Sequence, residues 1–76
     1  MTKFAYINEN LLTVKKEVRM GLIPPTVLAH YAIYSRYDYY RRLGNHRSLS
    51  ILITSDNCRV CENLIYKIIK EMEEIV

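Results

Sequence analysis

The chain has 76 residues, half of them apolar, with only two Gly and two Pro. That length leaves no room for a second domain, and the composition excludes a disordered chain because enough apolar side chains are present to form a core. Eleven Lys and Arg against eight Asp and Glu give a net charge of +3, which favours anionic partners without the extreme basicity of a packaging protein.

The opening residues, MTKFAYIN, lack the hydrophobic core of a signal peptide. No apolar run reaches the about 18 to 20 residues that a membrane span needs. We therefore expect a cytosolic protein with no membrane partner.

Residues 1–21 form a leader before the turn-forming segment Gly21–Pro25. Phe4–Ile7 predicts a short strand, whereas Ile7, Leu11, Val14 and Val18 recur at helical spacing. Strand and helix both remain open for this leader.

The body, residues 22–76, opens with a predicted helix of about five turns over residues 25–43, since no Gly or Pro follows Pro25 until Gly44. Its core-facing stripe is predicted to contain Leu28, Ala32, Ser35, Tyr39 and Leu43, flanked by Val27 and Tyr31.

Tyrosines recur every three residues on this helix, so they wind around it and cannot all enter one core. Tyr31 and Tyr39 are predicted to pack inside. Tyr34, Tyr37 and Tyr40 are predicted to remain outside, where they face solvent, a partner subunit or a strand of nucleic acid. A protein interface is favoured, because tyrosines are enriched there.

Ser48 or Ser50 is predicted to cap a short second helix, which ends near Asp56–Asn57. The apolar residues of this helix are Leu49, Ile51, Leu52 and Ile53. Asn57 and Arg59 then occupy a tight connection.

The last predicted helix, about Val60–Ile75, has the clearest amphipathic pattern in the chain. At about 100° per residue its apolar side chains fall within an arc of about 140°. These apolar residues are Cys61, Leu64, Ile65, Ile68, Ile69, Met72, Ile75 and Val76. The opposite face is polar and holds Glu62, Asn63, Tyr66, Lys67, Lys70, Glu73 and Glu74.

The predicted elements follow the order of a helix-turn-helix unit: a long helix, a short helix, a tight turn and an amphipathic helix. In such a unit the last helix presents polar residues to the DNA major groove. Asn is suited to adenine, Lys to guanine or phosphate, and Tyr to phosphate or a thymine methyl. The base-facing candidates are Asn63, Tyr66, Lys67 and Lys70. Basic residues in the preceding helix end and loops are predicted to contact phosphates; they are Arg36, Arg41, Arg42, His46, Arg47 and Arg59. Glu62, at the start of the last helix, is also a candidate DNA-contacting residue. The acidic residues Glu71, Glu73 and Glu74 are predicted to lie where the helix leaves the DNA.

Three stretches carry a family resemblance: IPPTVLAHYAIYSRY (23–37), SLSILITSDN (48–57) and RVCENLIYKIIKEMEE (59–74). Together they resemble the winged helix-turn-helix superfamily, most of all the small DNA-binding domains of phage and plasmid replication initiators and related regulators. The resemblance implies a mainly α three-helix core that binds a specific duplex sequence in transcription or replication control. Two features depart from the family: Cys58-Arg59 stands where a turn glycine is common, and no sequence for the β-hairpin wing follows Val76.

Cys58 and Cys61 form a CxxC pair, a spacing used in zinc sites and redox motifs. Only His30 and His46 could complete a zinc site, and no βαβ pattern surrounds the pair. We expect both to pack the turn as small apolar residues, with no metal or cofactor.

No phosphate-binding glycine loop and no nucleophile with a credible base are present, so we expect neither enzymatic activity nor a small-molecule substrate. We expect a homodimer, because one recognition helix without a wing makes few DNA contacts. Two alternatives remain: the polar face of the last helix is merely solvated, or the chain is a small adaptor that binds a replication or host protein instead of DNA.

Overall fold

The computed structural model describes all 76 residues, and the chain forms five α-helices. These are α1 (Lys3–Glu9), α2 (Leu11–Arg19), α3 (Thr26–Arg42), α4 (Arg47–Cys58) and α5 (Glu62–Met72). The prediction of a mainly α protein is confirmed. No helix is both long and apolar enough to cross a membrane.

The leader is helical, so the strand predicted for Phe4–Ile7 is wrong and the helical alternative is confirmed. The Thr2 hydroxyl caps α1 by accepting a hydrogen bond from the Ala5 amide at 3.1 Å. A strand would need a partner along its length. The C-terminal segment supplies only one isolated antiparallel bridge, between Thr2 and Ile75.

Helix α3 begins and ends within one residue of the predicted 25–43 segment, but the face predicted to be buried is only partly correct. Val27, Leu28 and Tyr31 pack against the core as predicted. Tyr39 and Leu43, assigned to the core, are 50% and 63% exposed, whereas Tyr34 and Tyr37 are buried. Ala32 is also exposed, while Leu28, Ser35 and Tyr31 are half-buried.

Three helices pack against α3, namely α1, α4 and α5, and α1 covers Tyr31 and Tyr34. The Phe4 ring stacks on Tyr31 at 5.3 Å between centroids and lies 4.6 Å from the Tyr34 ring. The Tyr34 hydroxyl donates to Glu73 Oε2 at 3.0 Å, so its polar tip is satisfied within the fold. Tyr40 is also half-buried, and its hydroxyl accepts a hydrogen bond from the side-chain Nδ2 of Asn57 in α4.

Helices α3, α4 and α5 pack against one another, and α1 contacts both α3 and α5. The predicted inner face of α5 is confirmed at its centre, where Ile65, Ile68, Ile69 and Met72 are buried. The helix itself is shorter than the predicted Val60–Ile75 at both ends, which leaves Cys61, Ile75 and Val76 exposed.

The chain termini meet beyond the end of α5, which explains why that helix stops at Met72. The Lys3 amide donates to the Glu74 carbonyl at 2.8 Å, and the Val76 amide donates to the Met1 carbonyl at 3.0 Å. These hydrogen bonds take the last residues away from the helical path.

Candidate nucleic-acid interface

The connection between α4 and α5 consists of three residues, Arg59, Val60 and Cys61. Arg59 takes the left-handed conformation, with φ 55° and ψ 44°, at the position where the sequence lacks a glycine. The Arg59 and Val60 amides both donate to the Ser55 carbonyl, and the Ser55 hydroxyl returns a hydrogen bond to the Val60 carbonyl at 2.6 Å. The turn is therefore closed by Ser55 even though a non-glycine residue occupies its left-handed position.

Two small hydroxyl residues form the inner side of α4, and both are fully buried. Ser50 donates to the His46 carbonyl at 3.0 Å and Thr54 donates to the Ser50 carbonyl at 2.7 Å, so no hydroxyl is left without a partner. Their small volume lets neighbouring helices approach closely. The prediction that Ser48 or Ser50 caps α4 is wrong, because the cap is His46, whose Nδ1 accepts from the Leu49 amide at 3.1 Å.

The outer side of α5 is polar and exposed along its length. Asn63, Tyr66, Lys67 and Lys70 are all exposed, as is Glu62 at the first position of the helix. Their spacing of three, four and seven residues places the four candidates on one stripe. They lie opposite the buried Ile65, Ile68 and Ile69.

Arg47, at the start of α4, lies against this stripe. Its guanidinium carbon is 5.9 Å from the centroid of the Tyr66 ring, within the range of a cation–π contact. Of the basic residues predicted to contact phosphates, Arg47 is thereby joined to the outer stripe of α5.

The other predicted phosphate contacts are exposed, but several already have intramolecular partners. Arg42 Nε donates to Asp38 Oδ2 at 2.8 Å, and Arg41 Nη1 donates to the Asn45 carbonyl at 3.1 Å. His46 uses Nδ1 in capping α4, which leaves only Nε2 for another partner. The side chains of Arg36 and Arg59 are exposed and take part in no hydrogen bond or ion pair within the structure.

The acidic end of α5 is tied into the fold through Glu71. Glu71 accepts from Lys3 Nζ at 3.0 Å through one oxygen and contacts His30 Nδ1 at 2.8 Å through the other. Partial burial alone would raise the pKa of Glu71, but the hydrogen bonds and charges of His30 and Lys3 outweigh it and hold that pKa below its ordinary value. This three-residue cluster joins α1, α3 and α5.

Glu73 has a similar structural role through its contact with Tyr34. Burial raises the pKa of the Tyr34 phenol, and the hydrogen bond to Glu73 and its negative charge raise it further. Tyr34 is thus a neutral donor at any physiological pH. Sequence reasoning missed Lys3, His30 and Tyr34 as partners because the pairs are 68, 41 and 39 residues apart in the chain.

Cys58 ends α4 and Cys61 precedes α5, and both are free thiols. Cys58 is half-buried, but Cys61 is exposed, so the expectation that both pack the turn is wrong for Cys61. No group of three or more His, Cys, Asp or Glu side chains is arranged to hold a metal ion.

No protein-family model, curated protein or solved structure matches the chain. The features that bear on function are therefore those of α4, the turn and α5.

Proposed function

We propose that the protein binds duplex DNA through α4 and α5 used as a helix-turn-helix, with α5 as the recognition helix in the major groove. The observation that carries the proposal is the exposed polar stripe Asn63, Tyr66, Lys67 and Lys70 with Arg47 beside it. This combination offers groups for base edges and for phosphates on one continuous surface.

The connection between the helices supports this function. Helix-turn-helix units join their two helices by a turn of about three or four residues. The Arg59–Cys61 turn has that length, with Ser55 closing it and Val60 packed against the core. α4 and α5 are thus held in a fixed relation while the outer side of α5 stays free.

The distribution of charge along α5 supports a definite docking direction. Asn63 lies in the first turn of α5, and Arg47 adjoins Tyr66 one turn later. Glu62 is the only carboxylate in the first turn of α5. Glu71 and Glu73 lie at the other end, where hydrogen bonds tie them to α1 and α3. A helix that enters the groove with its N-terminal half keeps these carboxylates away from the phosphates.

The biological role within this class is a regulator of transcription or of phage or plasmid replication. Such a regulator acts in the cytosol, where reducing conditions keep thiols such as Cys58 and Cys61 free.

A protein-binding adaptor is the second candidate, and one observation favours it. Leu49 and Leu52 of α4 are 36% and 55% exposed, and apolar side chains at the surface are typical of protein interfaces. An adaptor would bind its partner without the steep salt dependence that phosphate contacts impose.

Fluorescence anisotropy with a random-sequence duplex at two salt concentrations distinguishes the two functions. Each phosphate contact contributes about −0.9 to the slope of log K against log salt, so four contacts weaken binding about 150-fold between about 50 and 200 mM salt. The double variant Lys67→Ala/Lys70→Ala should lower that slope by about two units.

Lys15→Ala/Lys16→Ala on α2 is the matched control, because it removes the same charge from two exposed lysines outside the proposed surface. Its slope should equal that of the wild type. No binding to duplex at low salt, or an equal loss in both double variants, would contradict DNA binding by α5.

A further inference from the structure

One side of α3 is left largely uncovered by the rest of the fold. Ala29, Ala32 and Arg36 are exposed, and Tyr39 and Leu43 are 50% and 63% exposed. Leu43 follows the last helical residue, and its amide still donates to the Tyr39 carbonyl at 3.1 Å, so it keeps the helical path. At about 100° per residue these five positions fall within an arc of about 80°, which we call the outer face of α3. The sequence assigned Ala32, Tyr39 and Leu43 to the core, so this apolar stripe is present but has no partner within the chain.

The outer face lies on the side of α3 away from α5. His30 and Tyr34 are each two residues from Ala32, which is about 160° around the helix. Their side chains contact Glu71 and Glu73 at the C-terminal end of α5, at 2.8 and 3.0 Å. A partner on the outer face therefore approaches from the side opposite α5 and leaves the polar stripe of α5 free.

The spacing along the outer face is that of a seam between two helices. Its five residues are separated by three, four, three and four positions, and this alternation keeps side chains in line where two helices pack lengthwise. The positions at the edges of the face are half-buried and uncharged; they are Leu28, Ile33, Ser35 and Tyr40. Arg42, beyond the edge, is exposed but paired with Asp38. The outer face therefore suits a second α-helix.

The outer face is complementary to a copy of itself. Its N-terminal half contains the small Ala29 and Ala32, and its C-terminal half contains the large Tyr39 and Leu43. Two antiparallel copies place the large side chains of one helix against the small ones of the other, so the backbones approach while the seam stays filled. Parallel copies would place alanine against alanine and leave a gap. Two identical faces packed antiparallel are related by a twofold axis.

Arg36 is the one charge on the outer face, and it has no partner within the chain. Its guanidinium takes part in no hydrogen bond, ion pair or cation–π contact. When Ala32 lies opposite Leu43 of an antiparallel copy, Arg36 lies opposite Tyr39 of that copy, whose exposed ring offers a cation–π contact. The other antiparallel register that keeps the seam aligned places Arg36 opposite Ala32 and leaves the cation alone. Charge complementarity therefore selects the register that pairs Arg36 with Tyr39.

We infer that the outer face of α3 is the interface of an antiparallel, twofold homodimer in which Arg36 of each copy lies on the Tyr39 ring of the other. The occupant of the face is thus a second copy of this chain. The inference is independent of DNA binding, and it assigns Arg36 to a protein contact in place of the predicted phosphate contact. In this register the helices overlap over residues 32–43, about 17 Å. Such an interface is below the standard size, so the dimer should be of the weak class.

The test is the solution mass of the full chain by sedimentation equilibrium from about 10 µM to about 1 mM, the range in which weak interfaces become populated. Reductant is present because Cys61 is an exposed thiol. The wild-type mass should rise from 9.0 kDa towards twice that value. Leu43→Lys should raise the dimer dissociation constant at least about tenfold, because it places an ammonium in an apolar seam and near Arg36 of the copy.

Leu12→Lys is the matched control, because it adds the same charge at an 83% exposed leucine of α2, outside α3. It should leave the dissociation constant within about twofold. Ala32→Lys, in the seam, provides a second, independent variant should Leu43→Lys fail to show a helical circular dichroism spectrum. Its expected effect is the same loss of dimer.

Removal of the Arg36 guanidinium tests the register. Arg36→Ala should raise the dissociation constant at least about fivefold, because each dimer loses two cation–π contacts. Arg42→Ala is its control, because it removes the same charge from an arginine that is already paired with Asp38. The control should again stay within about twofold.

A wild-type mass of 9.0 kDa throughout the series would overturn the proposal, whatever other helix then covers the outer face. A dimer that both Leu43→Lys and Ala32→Lys leave intact, or one that Leu12→Lys weakens equally, would overturn it as well. An Arg36→Ala dimer as tight as the wild type would contradict the register. A dimer that binds no duplex would contradict the proposed function and leave this interface standing, whereas a monomer that binds duplex would do the reverse.

Discussion

The Arg47 guanidinium lies 5.9 Å from the centre of the Tyr66 ring, which joins the first residue of α4 to the outer side of α5. The contact limits the freedom of a long, flexible cation and keeps it beside the polar stripe of α5. Arg47 is thus positioned to reach a phosphate on the edge of the groove that α5 would enter. The pair is the strongest geometric link between the two sets of candidate residues.

The two ends of the polar stripe should contribute differently to binding. Asn63→Ala, in the first turn of α5, should reduce the preference for a selected site over random duplex by about 1 to 3 kcal/mol. Lys70→Ala, two turns later, should weaken binding to all duplexes alike and lower the salt slope by about one unit. Anisotropy on a selected and a random duplex across a salt series separates these effects. Equal affinities of both variants and wild type in every condition would show that this face is only solvated.

In the turn between α4 and α5, Arg59 has a strained left-handed backbone conformation that a glycine would relieve. A non-glycine residue in the left-handed conformation costs about 1 to 2 kcal/mol, and glycine adopts it freely. Arg59→Gly should therefore raise the free energy of unfolding by about 1 kcal/mol in chemical denaturation. Arg59→Ala is the control, because it removes the same charge but keeps a Cβ, so it should give no such gain. An equal gain in both variants would attribute the effect to charge instead of backbone conformation.

Acid should destabilise the fold in part through Glu71. Its pKa in the folded chain is below the ordinary value of 4.5, so its stabilising effect is fully present above that value. As the pH falls through the lower folded pKa, Glu71 is protonated and the stabilisation is lost. Glu71→Gln should reduce stability at neutral pH and flatten its decline in acid.

Glu74→Gln provides the comparison, because the side chain of Glu74 is exposed and makes none of the hydrogen bonds or ion pairs in the structure. Its unfolding free energy should follow the wild-type pH profile. A Glu71→Gln profile that is parallel to the wild type would contradict the role of the Lys3–Glu71–His30 cluster.

The inner side of α5 should tolerate no charge. Ile68 is 1% exposed, and Ile68→Asp would bury a carboxylate among apolar side chains at a cost of several kcal/mol. The whole stability expected for a chain of this length is about 4 to 11 kcal/mol, so the variant should be largely unfolded by circular dichroism. Leu52→Asp, at an exposed leucine, should retain a cooperative melt. A normal melt of Ile68→Asp would show that this face is not core.

The success of the sequence in predicting α5 and its failure on α3 have one physical explanation. In α5 the buried face consists of isoleucines and a methionine and the other face of charged and amide side chains, so periodicity alone separates them. In α3 tyrosines occur on every side, and which of them is buried depends on how α1, α4 and α5 pack against it, as the contact of Phe4 with Tyr34 illustrates. That contact joins residues distant in the chain and has no signature in local spacing.

For the candidate site, too, the exposure of the residues was predictable from local sequence. All eleven predicted contact residues are exposed, because each lies on a polar face or in a loop; they are Arg36, Arg41, Arg42, His46, Arg47, Arg59, Glu62, Asn63, Tyr66, Lys67 and Lys70. The partners that restrain some of them were not predictable. The cap made by His46 and the contact of Arg47 with Tyr66 depend on how α4 sits against α5.

The most direct test of DNA binding by α5 is a titration of the isotope-labelled protein with a duplex, followed residue by residue through amide NMR shifts at low and moderate salt. DNA binding by α5 predicts the largest changes at residues 59–70 and at Arg47, with α2 unaffected and all changes reduced by salt. Changes confined to α1 and α2, or none at duplex concentrations above about 100 µM, where even non-specific complexes form, would contradict it.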